Sequence, residues 1–338
     1  MNLLKFLALA CLSLIQACSQ PPNEIWAGEG FVEVAGGRIW YQVTGEGGAI
    51  PLLILHGGPG FPSYYLGPLR ELSGERPIIL FDQLGCGRSD RISDTTLMTI
   101  DNHIDQVNRL LTALNIDDFY LYGHSWGTML AMDYYLKNSS RVKGLILAGP
   151  CLNSEMWVSD ADTLISTLPD SIQSILKNNI RGIAQDSTAL VSAIGVYSDN
   201  FYARRRPISA DLDSSTVQMG FNVYKYMWGD NEFFATGTLK DYDRTAELSK
   251  IKVPTLYITG EFDSARPGTV RYYQRLTPRS RLVVIDDAGH YTMHDNPEQD
   301  IKVISAFLDE LDSDMEVSPS TPPLVQTPEL SFWRSKMR

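Results

Sequence analysis

The chain has 338 residues and a net charge of −11, with Arg204-Arg205-Arg206 as its one basic tract, a composition that tells against nucleic-acid binding because phosphate contacts need clustered Lys and Arg. Its 43% hydrophobic content supports a buried core sized for one α/β domain with an insertion, or for two domains. Four cysteines, two of them within the first 18 residues, form neither a disulfide framework nor a zinc site.

Residues 1–18 read as a processing segment. Lys5 precedes the apolar run Phe6 to Ile15, which is too short to span a bilayer as a helix. Ile15-Gln16-Ala17-Cys18 is similar to a bacterial lipobox, in which the cysteine is lipidated and becomes the first residue of the mature protein. The expectation is an exported lipoprotein anchored through Cys18, facing the periplasm or cell exterior. An ordinary cleaved secretory signal is the alternative.

Residues 28–150 predict the first part of an α/β core. Phe31 to Val34 and Ile39 to Val43, separated by Gly36-Gly37, predict a β-hairpin. Strands follow at Leu52 to Leu55 and Ile78 to Phe81, with a helix between them near Tyr64 to Leu72. Ile104, Val107, Leu110, Leu111 and Leu114 have helical spacing, which predicts a helix over 100–114. A strand at Phe119 to Tyr122, a helix at Thr128 to Leu136 and a strand at Val142 to Leu147 complete this part. Strands alternating with helices imply a mostly parallel sheet.

Residues 151–250 break that rhythm. Helices are predicted at Leu164 to Leu176 and Ser187 to Phe201, with dense aromatics, so the segment reads as a helical cap. Most of those aromatics are expected to form the cap's own core. Residues 251–312 resume the core with strands at Val253 to Thr259 and Leu282 to Ile285 and a helix at Gln299 to Leu311. Residues 313–338, with Ser-Pro-Ser-Thr-Pro-Pro, read as a disordered tail.

The chemistry is carried by Gly123-His124-Ser125-Trp126-Gly127. G-x-S-x-G by itself is often a serine in a tight turn. Between a strand and a helix it is the pattern of a nucleophile elbow, with glycines leaving room for a strained residue whose hydroxyl stays exposed. Ser125 is therefore the candidate nucleophile, and it needs a base to take its proton.

In the chain order Ser, acid, His, the base is His290 or His294. His290, in Asp-Ala-Gly-His after a β-branched run, is the candidate; His294 reads as a loop residue. The acid should follow a different strand, which points to Asp263 in Gly260-Glu261-Phe262-Asp263. Asp286 and Asp287 compete but lie too near His290 in sequence. His56-Gly57-Gly58-Pro59-Gly60 can turn a backbone N–H toward the reacting carbonyl, with Gly58 preferred and Gly57 the alternative, and the N–H of Trp126 supplies the second donor. Asp82 to Ser89, a third glycine loop, reads as a brace for that oxyanion loop.

With HGGPG, DQLGCGRSD, GHSWGTML, GEFD and GH in this order, the chain resembles the proline iminopeptidase family of α/β-hydrolases from about Glu29 to Leu311. The segment Tyr224 to Asp243 looks like the branch of the tricorn-interacting aminopeptidase and amino-acid amidases. The resemblance implies an α/β-hydrolase fold and release of an N-terminal residue, often proline, from short peptides or amino-acid amides. It implies no metal or organic cofactor. In that branch a cap glutamate holds the substrate ammonium, and Glu232 occupies its place. A second such glutamate directly follows the triad aspartate, where this chain has Ser264, a departure that bears against strict aminopeptidase activity and a proline preference. A carboxylesterase-type hydrolase with the same Ser-His-Asp set is the alternative.

Overall fold

The computed structural model describes residues 24–183 and 186–317. Residues 1–18, including Cys18, lie outside the described residues, as does the chain beyond Val317.

Eight strands form one sheet in the order β1-β2-β4-β3-β5-β6-β7-β8. They are β1 (Gly28–Val34), β2 (Gly37–Thr44), β3 (Leu52–Leu55), β4 (Ile78–Phe81), β5 (Phe119–His124), β6 (Val142–Ala148), β7 (Thr255–Gly260) and β8 (Ser280–Ile285). The expected hairpin is β1–β2, whose turn passes through Gly36 at φ +92°. β2 pairs antiparallel with β4, and from β4 to β8 every pairing is parallel.

Strand periodicity explains why the central strands are apolar throughout. Successive side chains face opposite sides of a sheet, and here both sides are covered. Leu53, Leu55, Ile79, Phe81, Leu121 and Leu147 enter the core layer on one side. Leu52, Ile54, Ile78, Leu80, Tyr122 and Ile146 enter the layer on the other. Each such buried side chain contributes about 1.5–3 kcal/mol relative to exposure.

The helices are α1 (Ile100–Ala113), α2 (Trp126–Asn138), α3 (Ser154–Ile165), α4 (Asp170–Ile180), α5 (Ser187–Phe201), α6 (Ala210–Val217), α7 (Phe221–Met227), α8 (Pro267–Leu276), α9 (Thr292–Asp295) and α10 (Pro297–Val317). Thr99 caps α1 by accepting from the N–H of Asn102 at 3.2 Å. The helix expected near Tyr64 to Leu72 is a 3₁₀ segment, Ser63–Gly74. Pro68 inside it has no N–H, and its ring opposes a continuous α-helix.

Five helices, α3 to α7, occupy the stretch between β6 and β7 among the described residues; α3, α4 and α5 share an apolar cluster that includes Ile165, Leu176, Tyr197, Phe201 and Phe233, while Leu212 of α6 and Val223 and Met227 of α7 pack into the two core layers against the sheet. The single helix expected over 164–176 is not formed. α3 ends at Ile165 and α4 restarts at Asp170, because Pro169 biases the residue before it away from helical φ/ψ. At the far end α10 continues past Asp312 to Val317, into the segment expected as a disordered tail.

Candidate active site

Ser125 stands between β5 and α2, at φ 55° and ψ −123°. That left-handed conformation is uncommon for a residue with a side chain and is held by the packing around it. A Cβ at Gly123 would lie 2.3 Å from the Gly127 carbonyl oxygen, and one at Gly127 would lie 2.2 Å from that of Leu55. Both glycines are thus required by close approach. The N–H of Trp126 is among the first in α2, where helix N–H groups have no intrahelical acceptor and the helix dipole is positive.

His290 and Asp263 meet across 2.7 Å, Nδ1 to Oδ1. They arrive from different strands, Asp263 after β7 and His290 after β8. Asp263 is buried, and its Oδ1 also accepts from the N–H of Ala265 at 2.7 Å, while Oδ2 accepts from the Thr259 hydroxyl at 3.1 Å. The Ser264 hydroxyl donates to Oδ1 at 3.3 Å, so this side chain turns toward the aspartate. His290 Nε2 is buried with no hydrogen-bond partner, and His290 and Ser125 line the same cavity.

The competing residues are placed elsewhere. Asp287 pairs with Arg204 at 3.1 Å, and Asp286 receives a hydrogen bond from the Gln299 amide. His294 Nε2 lies 2.6 Å from the Tyr65 carbonyl oxygen and its Nδ1 lies 3.1 Å from Ser209 Oγ, which ties α9 to two neighbouring segments.

Gly57 gives its N–H to the Tyr65 hydroxyl at 2.8 Å, which leaves Gly58 as the candidate donor on that loop. The third glycine loop does brace it. Gln83 donates its backbone N–H to His56 Nε2 at 2.9 Å and its side-chain amide to the His56 carbonyl at 3.1 Å. Its amide oxygen accepts from the Trp126 indole N–H at 2.9 Å. Asp82 beneath is buried and paired with Arg88 at 2.7 Å, which holds its carboxyl below the usual range against the cost of burial.

Two features were not anticipated in the sequence. Gly149, after β6, faces the His290 ring so closely that a Cβ there would lie 2.6 Å from Cε1. His124 links the loops: its Nδ1 meets the Tyr65 hydroxyl at 2.9 Å and its Nε2 meets the His290 carbonyl oxygen at 2.9 Å. Burial holds His124 well below its ordinary pKa, so it is neutral. A carbonyl only accepts, so Nε2 carries the proton and Nδ1 accepts from Tyr65.

Above Ser125 lies a cavity of about 380 Å³. Glu232 lines it, half-buried, and its two carboxylate oxygens accept separately from the hydroxyls of Tyr202 (2.5 Å) and Tyr224. Burial raises its pKa, while both tyrosine hydrogen bonds and His290 act to lower it. Each oxygen retains a lone pair for a further donor. Among the described residues no cluster of three His, Cys, Asp or Glu side chains is placed to hold a metal ion.

A family model described as the alpha/beta hydrolase fold matches residues 50–297. The proline iminopeptidase of Heyndrickxia coagulans is 39% identical over 286 residues, covering 84% of this chain and 99% of that protein. That of Saccharolobus solfataricus is 32% identical over 287 residues, covering 84% and 93%. The crystal structure of the Mycobacterium smegmatis proline iminopeptidase matches with a TM-score of 0.80 at 28% identity, covering 85% of this chain and 100% of that one. The chain belongs to the proline iminopeptidase family of α/β-hydrolases.

Proposed function

We propose that the protein is a serine aminopeptidase that releases proline or another small apolar N-terminal residue from short peptides or amino-acid amides. The observation that carries this reading is the placement of Glu232 in the same cavity as Ser125 and His290. A carboxylate held by two tyrosines among aromatic side chains favours a cation and so marks a free chain end.

In this mechanism Ser125 Oγ attacks the carbonyl of the N-terminal residue while His290 Nε2 takes the hydroxyl proton. Asp263 fixes the His290 ring through Nδ1 and stabilises the imidazolium. The N–H groups of Gly58 and Trp126 hold the oxyanion. His290 passes its proton to the leaving amine as the C–N bond breaks, giving an acyl-enzyme. Water then attacks the ester and gives its proton to His290, which returns one to Ser125 Oγ as the acyl–oxygen bond breaks.

Ser264 lends its hydroxyl to Asp263, so Glu232 carries the ammonium recognition without a second carboxylate at that position. The test is a panel of prolyl, alanyl and leucyl arylamides beside short acyl esters. The aminopeptidase reading expects turnover of the arylamides. Turnover of the esters alone would favour a carboxylesterase using the same three residues.

For residues 1–18 we propose export and lipidation at Cys18, supported by the apolar run before it. A fatty-acid analogue should label the wild type and not Cys18→Ser, whereas unlabelled wild-type protein would favour an ordinary secretory signal.

A further inference from the structure

We infer that the cavity discriminates against leaving groups that bear a carboxylate, so that amide-capped peptides and amino-acid amides are better substrates than free dipeptides. This rests on the aminopeptidase reading of the same site. Among the described residues that line the cavity there are two carboxylates, Asp230 and Glu232, and no lysine or arginine. The lysines and arginines close to it in the chain lie outside this lining. Lys225 pairs with Asp230 at 2.8 Å, in a solvent-exposed contact. Arg91 donates to the backbone carbonyls of Gly85, Gln218 and Met219.

Apart from the two histidines, the rest of the described lining carries no further carboxyl group or amine. Leu190 and Ile194, one helical turn apart on α5, join Phe61 and Met219 as apolar surface, and Asn179 and Asn231 add amides. With the substrate ammonium at Glu232 and its carbonyl at Ser125, the departing amine has this remaining surface to occupy.

A free dipeptide carries its carboxylate two bonds from the scissile nitrogen. That charge would enter the cavity with the leaving group, lose water, and find no lysine or arginine in the lining to pair with. It would also share the cavity with the carboxyl groups of Glu232 and Asp230, and like charges brought together across a binding surface suppress the wrong partner. An amide or arylamide removes the charge and keeps the apolar contact with Leu190 and Ile194. The recognition is therefore asymmetric: the chain end is read as a cation, and the other side of the scissile bond is required to be neutral.

The experiment measures proline release from Pro-Leu and from Pro-Leu-NH₂ by wild type and by Ile194→Lys, which places a cation on the partly exposed cavity wall of α5. For the wild type, kcat/KM for the amide should exceed that for the free acid by about tenfold or more, mainly through KM, with the gap narrowing as salt is added. Ile194→Lys should narrow the same ratio by improving the free acid relative to the amide. Equal wild-type rates, or a preference for the free acid, would overturn the inference. So would a wild-type gap that Ile194→Lys leaves unchanged, since the discrimination would then lie outside this cavity. Release of an N-terminal residue from neither peptide, nor from their alanyl and leucyl counterparts, would instead overturn the aminopeptidase reading on which the inference stands.

Discussion

His124 Nε2 donates to the backbone carbonyl oxygen of His290 across 2.9 Å, so the residue preceding the candidate nucleophile holds the loop of the candidate base. The same imidazole accepts from Tyr65, whose oxygen accepts from the N–H of Gly57. One run of three hydrogen bonds thus joins the HGGPG loop, the nucleophile strand and the His290 loop.

This relay predicts a coupled effect. His124→Phe and Tyr65→Phe each remove two of the three hydrogen bonds, the one between them in common, and should each lower kcat on a prolyl arylamide about tenfold or more. The fall in kcat should exceed the rise in KM, since the relay positions the His290 loop. The double variant should lose less than the product of the two single effects, because the links act as one unit. Independent, multiplicative losses would show that the three loops are not coupled in this way.

The two late histidines should behave differently. Ser125→Ala and His290→Ala should abolish turnover of arylamides and esters alike. His294→Ala removes a tether to the Tyr65 carbonyl and should lower Tm while retaining activity within a few-fold of wild type. Steady-state rates and a thermal melt on each variant decide the point. An inactive but fully folded His294→Ala would reassign the base.

Asp300 predicts a pH-dependent stability. It is fully buried in the first turn of α10, and burial, offset only in part by the Thr292 hydroxyl, pushes its pKa up to about 7. In the unfolded chain it ionises near pH ~3.9. Because the folded value is the higher one, its stabilising contribution is complete below the unfolded pKa and is lost as pH rises through about 7. The total loss is at most about 4 kcal/mol. Asp300→Asn should therefore melt above wild type at pH 8.5, and this advantage should vanish by about pH 4. A Tm difference independent of pH would rule out this titration.

Much of the architecture was legible because the responsible signals are local. The all-apolar runs Leu52 to Leu55 and Ile78 to Phe81 mark strands covered on both faces, and the glycines around Ser125 mark a turn crowded by backbone. Asp263 and His290 could be named from the strand ends they follow, and they lie 2.7 Å apart. The break between α3 and α4 is signalled by Pro169, but the apolar spacing of Leu164 to Leu176 runs across it and mimics one continuous helix. His124 was invisible for another reason: its partners, Tyr65 and the His290 carbonyl, lie 59 and 166 residues away. Tyr202 and Tyr224 lie in the aromatic-rich cap segment, and nothing in their spacing shows that both hydroxyls end on Glu232.

The central claim is that Glu232 reads the free amino terminus of the substrate. Glu232→Gln keeps the shape and removes the charge, so kcat/KM on a free prolyl arylamide should fall on the order of ten- to a hundredfold, mostly through KM. A short acyl ester without an amino group should be cleaved about equally by variant and wild type. The most direct measurement is kcat/KM of both proteins on prolyl and N-acetylprolyl arylamides. The account predicts that wild type strongly prefers the free amine and that Glu232→Gln largely loses this preference. Equal wild-type rates on the free and acetylated substrates would contradict it.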